Sequence, residues 1–249
     1  MARSRSLAGL SMFALKIIAL ISMLSSHIVI VFSENLSPDT SLWMYYFGRL
    51  SFPIFAFFIA NGWRRTHSRL LYIIRILIMA IVSQVPYSLA LYGASFGSFK
   101  SFFVGAPLNI GFTFLLAMLS LWIFDLLRKM SFPKVLSAVC AFIPAFLFET
   151  LTPFHVDYGY FGVLLILVMY ITMGDDSLMF LSSAAVFAAM CATFGDLVMT
   201  VRLDVFLCYI AAAVLLMFYN GRMGAKAKYL FYIFYPAHLL VLYLLNMVM

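Results

Sequence analysis

The sequence predicts an all-α, polytopic transmembrane helical bundle of about nine spans with a cytoplasmic N-terminus. Three observations predict it. Of 249 residues 65% are hydrophobic and only 10% charged, the apolar residues gather into runs of spanning length, and the basic residues collect at alternate connections. So little charge cannot clothe a soluble surface. So much apolar side chain also excludes disorder. The net charge of +7 comes from short clusters between apolar runs. No Lys/Arg stripe follows that could track a phosphate backbone, so nucleic acid is excluded as a partner. Cys140, Cys191 and Cys208 lie inside apolar runs without paired spacing, which suggests neither a disulfide framework nor a metal site.

A spanning helix needs ~20 mostly apolar residues. Such runs cover 11–32, 43–62, 70–92, 107–127, 133–149, 158–173, 177–194, 204–219 and 229–248. The first follows Arg3 and Arg5 as a signal peptide would, but its apolar stretch is too long and no clear small-residue cleavage site follows. It is therefore read as a retained span. Pro144, Pro153 and the turn Gly174-Asp175-Asp176 leave the fifth to seventh runs open to tilted or re-entrant forms, and the count open between eight and ten. With no internal repeat, low-complexity tract or linker, residues 1–249 read as a single membrane domain.

Orientation follows from Lys and Arg. With the N-terminus inside, Arg3, Arg5, Lys16, Arg64, Arg65, Arg69, Arg75, Arg128, Lys129, Lys134, Arg222, Lys226 and Lys228 fall on or near the inner side, and only Arg49, Lys100 and Arg202 fall elsewhere. The C-terminus then faces outward. The address expected is a bacterial-type cytoplasmic (inner) membrane, crossed many times.

At membrane depth the informative residues are ionisable, because each costs roughly 2.5–3.5 kcal/mol to insert and must face the bundle interior. His27, Arg49 and His238 are the deepest and form the starting constellation. His27 follows Ser25 and Ser26, which puts hydroxyls beside an imidazole that titrates near neutrality and can act as a general base. Arg49, in Gly48-Arg49-Leu50-Ser51-Phe52-Pro53, is always charged and needs an acceptor from protein or substrate. His238 sits two residues after Pro236, which removes a backbone donor and loosens the helix where a cavity wall is expected. Ser26, Gln84, Asn109, Asp157, Tyr158 and Tyr235 are the polar residues that could rim an outward-facing pocket. Each of these residues also has a plainer reading as a buried hydrogen-bonded group. On the inner side Arg64, Arg65 and Arg69 in one turn, and Arg222, Lys226 and Lys228 in another, could grip phosphates. The positive-inside rule alone would also place them there.

Four segments in order resemble the TraX family. They are Leu15-Lys16-Ile17-Ile18-Ala19-Leu20 with His27, Gly48-Arg49-Leu50-Ser51-Phe52-Pro53-Ile54-Phe55-Ala56, Tyr158-Gly159-Tyr160-Phe161-Gly162-Val163-Leu164, and Phe234-Tyr235-Pro236-Ala237-His238-Leu239. They are joined by Ser83-Gln84-Val85-Pro86 and Asn220-Gly221-Arg222. The resemblance implies a membrane acyltransferase akin to the conjugative-pilin acetylase, with acetyl-CoA as donor. Its acceptor would be the terminal amine of a pilin or other peptide, or a small-molecule amine or hydroxyl. The family usually carries an Asp immediately before the first-span histidine, and this chain has Ser26 there.

Two function classes follow. In the enzyme, the basic turns hold the phosphates of CoA, His27 deprotonates the acceptor, and Arg49 steadies the oxyanion. The alternative is a non-enzymatic small-solute transporter or an assembly or immunity factor, including an inactive paralogue, which the Gly and Pro interruptions would suit. Salt-sensitive binding of acetyl-CoA discriminates the two.

Overall fold

Inside hydrocarbon every backbone N–H and C=O must find a partner within the chain, so apolar runs without alternation become helices. The computed structural model describes residues 9–94, 99–103, 106–193, 199–225 and 229–248. The described residues form ten α-helices and no strand. These are α1 Met12–Phe32, α2 Pro38–Gly48, α3 Ser51–Arg65, α4 Arg69–Tyr92, α5 Ile110–Lys129, α6 Lys134–Leu151, α7 Gly159–Thr172, α8 Asp176–Thr193, α9 Met199–Met217 and α10 Leu230–Val248. Seven segments are long and apolar enough to cross a membrane, α2 and α3 counting together as one. Two shorter apolar helices, Gly159–Thr172 and Leu203–Met217, complete nine apolar segments among the described residues.

The second run differs from its expectation as one span over 43–62. α2 ends at Gly48, Arg49 and Leu50 turn, and α3 begins at Ser51. Pro53 contributes to the break, since it has no N–H to bond the Arg49 carbonyl four residues back. Elsewhere proline does not interrupt: α4, α6 and α10 run through Pro86, Pro144 and Pro236. The re-entrant alternatives for the fifth to seventh runs are not adopted, because α6, α7 and α8 are each continuous. α7, with 14 residues, is the short member. It reaches about 21 Å at 1.5 Å per residue. Phe161, Val163, Leu165, Ile166, Leu167 and Met169 are all buried in it, so it is apolar all round because protein surrounds it.

The chain forms two compact units, Met1–Phe55 with Gly174–Phe231, and Ala56–Met173 with Tyr232–Met249. In the first, α1 packs on α2, α2 on α9, and α8 on α9. The entry to α1 is pinned there: Leu10 N–H donates to Phe218 O at 2.9 Å, Asn220 N–H to Leu10 O at 3.0 Å, and Met12 N–H to Arg222 O at 2.8 Å. In the second unit α5 packs against α4, α6 and α7. α4 is turned inside out relative to a soluble helix. Leu70, Ile74, Leu77 and Ile81 are exposed, whereas Ser83, Gln84 and Ser88 are wholly buried. That is the polarity of a helix with lipid outside and polar contacts within.

Candidate active site

Ser22, Ser25 and Ser26 stand at i, i+3 and i+4 on α1, which puts them on one face. That face meets the end of α2, where the helical ladder tightens to Arg49 N–H on Tyr46 O (3.1 Å) and Leu50 N–H on Phe47 O (3.2 Å). Serine hydroxyls complete these carbonyls. Ser22 donates to Phe47 O at 2.7 Å with Gly48 O also in reach at 3.1 Å, Ser25 to Met44 O at 3.0 Å, and Ser51 to Gly48 O at 2.8 Å. The approach depends on glycine: a Cβ on Gly48 would stand 2.5 Å from the Ser26 Cβ.

The break carries Arg49 in the midst of this polar seam. Its Nη2 donates to Ser26 Oγ at 2.9 Å, and its guanidinium carbon lies 4.4 Å from the centroid of the Tyr45 ring. One cation thus has a hydroxyl acceptor and an aromatic face. The neighbouring Tyr46 donates its hydroxyl to Asp204 Oδ2 at 2.9 Å and so joins α2 to α9. His27, the residue after Ser26, is half-buried. An imidazole, a guanidinium, hydroxyls and a phenol–carboxylate pair therefore belong to one unit.

The second unit gathers the remaining pocket candidates around the loop before α5. Gln84 donates to Phe102 O (2.8 Å), Pro107 O (3.1 Å) and Ser88 Oγ (3.1 Å), while its Oε1 accepts both the backbone N–H (2.9 Å) and the Nδ2 (2.8 Å) of Asn109. Asn109 in turn donates to Ala80 O at 2.8 Å and caps α5 by accepting from Gly111 N–H at 2.9 Å. Both amides are fully buried, and between them they hold the loop. Beside it, Leu108 pairs with Val156 as a parallel bridge, and Thr113 Oγ1 donates to Asp157 O at 2.5 Å. Tyr158 precedes α7 in the left-handed region at φ 63°. The Asp157 carboxylate lies within electrostatic reach of the Tyr87, Tyr92 and Tyr235 phenols. His238 is buried, its Nδ1 2.8 Å from Phe234 O. A carbonyl only accepts, so Nδ1 bears the proton and the neutral ring has its lone pair on Nε2. That ring stacks on Phe234 with centroids 4.9 Å apart and lies 5.7 Å from the Tyr235 ring.

Where α3 meets α4, the basic turn is built into the protein. Arg69 pairs with Asp125 at 2.5 Å, and Arg64 Nη1 donates to Met173 O at 2.9 Å. Asp125 also accepts from Trp63 Nε1 at 3.1 Å and from Tyr170 OH at 2.8 Å. Arg65 is exposed, as is Arg222 in the first unit. Lys226 and Lys228 lie outside the described residues.

The fold therefore brings Ser26 and Arg49 together in the first unit, where His27 is the next residue of α1 after Ser26. In the second it brings together Gln84 with Asn109, and Asp157 with Tyr235. His238 belongs to the second unit. Sequence reasoning passed over Ser22, whose helical spacing with Ser25 and Ser26 was visible. It also passed over Asp125, a lone carboxylate between Phe124 and Leu126 in an apolar run, and the partnership of Tyr46 with Asp204, which has no local signal.

Helices with apolar exteriors and polar side chains bonded between them are those of a multi-pass membrane protein. The chain belongs to the TraX family, whose sequence model, described as TraX protein, matches residues 11–246. It is similar to a probable fimbrial assembly protein FimC, serogroup H1, of Dichelobacter nodosus, with 27% identity covering 93% of this chain and 94% of the relative. No solved structure matches the chain.

Proposed function

We propose that this protein is a membrane-embedded acyltransferase of the cytoplasmic membrane that takes acetyl from acetyl-CoA and delivers it to an amine or hydroxyl. The observation that carries the reading is the Arg49–Ser26 hydrogen bond, which sets a fixed cation one residue from His27 at a helix break. The acceptor attacks the thioester carbonyl while His27 takes its proton. The oxyanion that develops is stabilised by Arg49 and by the N-terminal end of α3. CoA thiolate leaves and recovers the proton, which yields an amide or ester. The basic turn of Arg64, Arg65 and Arg69 supports binding of the donor's phosphates, and Arg222, Lys226 and Lys228 supply the second patch of positive potential. Gln84, Asn109, Tyr158 and Tyr235 act by shaping the second unit, with Asp157 and the buried His238 as further polar groups.

The name of the fimbrial relative supports an acceptor of the pilus or fimbrial subunit kind, with its terminal amine as the acetylated group. It equally favours a non-enzymatic assembly factor, in which the same buried groups are structural. Single-turnover transfer from acetyl-CoA to a subunit peptide in purified protein separates the two. His27→Ala is expected to bind donor normally and to lose about 10²- to 10⁴-fold in transfer, the usual worth of a general base. Arg49→Lys is expected to fail as well, because an ammonium lacks the planar fork. Transfer by His27→Ala within about threefold of the parent would remove His27 from the chemistry.

A further inference from the structure

Asp125, close to the C-terminal end of α5, takes donors from three other helices. Oδ2 receives Arg69 Nη2 (2.5 Å) from α4 and Trp63 Nε1 (3.1 Å) from α3, and Oδ1 receives the Tyr170 hydroxyl (2.8 Å) from α7. The Arg69 guanidinium also covers the Trp63 ring, its carbon 4.8 Å from the centroid. Exposure is uneven across the cluster: Trp63 is 1% exposed, whereas the side chains of Asp125 and Arg69 are 15% and 37% exposed. Only Arg69 among the three donors is charged, and it and Tyr170 are partly exposed whereas Trp63 is buried. If Arg69 swings away, the carboxylate keeps two neutral donors, so its departure does not strand a buried charge. A polyphosphate presents more charge and more oxygens to a planar guanidinium than a single carboxylate does, and it can take Arg69 in that exchange. Arg64 and Arg65, both exposed, belong to the same turn and add to its positive potential.

We propose that Asp125 holds Arg69 in reserve. A phosphate-bearing ligand at the α3–α4 turn, of the pyrophosphate class found in nucleotide coenzymes, takes the guanidinium from Asp125. The aspartate thereby sets how tightly that ligand is held and how readily it leaves. This rests on the acyltransfer reading for the ligand's acyl group but not for its phosphates.

The test uses the full chain in detergent with Trp43 and Trp122 replaced by Phe, so that Trp63 is the only remaining indole. Trp63 emission is followed while sodium pyrophosphate, and separately acetyl-CoA, is added. Both ligands are expected to shift emission as Arg69 leaves the ring. Arg69→Gln should weaken pyrophosphate binding about tenfold, the worth of one charge-assisted hydrogen bond. Asp125→Asn, nearly isosteric and without the competing charge, should tighten it by about the same factor. Asp125→Glu keeps the charge and should stay within about twofold of the parent. In the Arg69→Gln background, Asp125→Asn should give almost no gain. An equal gain there, unchanged affinity in Arg69→Gln, or no binding of pyrophosphate by the parent overturns the proposal. A response to pyrophosphate without one to acetyl-CoA keeps the exchange and removes the acyl-donor reading. Acetyl-CoA binding indifferent to both residues does the reverse.

Discussion

The junction of α1 with the α2–α3 break and the junction of α4 with the loop before α5 face the same problem and solve it with different side chains. Both contain backbone that leaves helical geometry in an apolar chain, and both must satisfy the freed groups internally. In the second unit two amides do so reciprocally. Gln84 and Asn109 bond one another and four backbone carbonyls and amides at 2.8–3.1 Å, without any charge. In the first unit small hydroxyls from one helix face cap the carbonyls, and a guanidinium is left at the break. A neutral, reciprocal network makes a rigid loop. On the acyltransfer proposed here, the seam of single hydrogen bonds around a fixed cation is where charge develops.

Breaking the amide network should have the largest effect on folding. Asn109→Leu removes the side-chain donor to Gln84 Oε1, leaving only the backbone N–H there, and with it the donor to Ala80 O and the acceptor for Gly111 N–H. Buried orphans cost about 1–3 kcal/mol each, so a loss of about 3–5 kcal/mol is expected in thermal or denaturant unfolding of the detergent-solubilised protein. A loss below about 1 kcal/mol would mean that the amides are not what holds this loop.

The two tight glycines sharpen the comparison. An added Cβ would lie 2.5 Å from the Ser26 Cβ at Gly48 and 2.7 Å from the Ala80 Cβ at Gly111. Both Gly48→Ala and Gly111→Ala are expected to lose about 1–3 kcal/mol through overpacking. They should part in function: Gly48→Ala displaces the Ser26–Arg49 pair and lowers transfer per folded molecule, whereas Gly111→Ala leaves it unchanged. Equal losses of transfer, measured per folded molecule, would erase the distinction between seam and network.

The smallest effect is expected at the seam's neutral rung. Ser25→Ala removes one donor to Met44 O, a carbonyl already inside α2. About 1 kcal/mol of stability should go, with transfer retained. Ser26→Ala falls outside this expectation because its hydroxyl is the acceptor for Arg49.

The nine apolar runs were legible because a span is a local property of about 20 residues, and a helix needs no distant partner for its own hydrogen bonds. The candidacy of His27, Arg49 and His238 was legible for the same kind of reason, since an ionisable residue in an apolar run is conspicuous wherever it sits. The cue for the α2–α3 break, Gly48 with Pro53, also stood in the sequence. Yet Pro86, Pro144 and Pro236 sit within unbroken helices, so proline alone does not make a break. What separates position 49 is the row of α1 serines against the end of α2, a packing contact between helices. The roles of Arg69 and Asp125 were beyond sequence for a sharper reason. Arg69 read as a phosphate-gripping cation with no partner in the chain and Asp125 as nothing at all, because Asp125 takes its donors from positions 62 and 45 residues away. Composition and hydropathy determined where the apolar spans lie and which residues are costly to bury. Only the tertiary structure decided who answers each buried charge, because that depends on which helix faces meet.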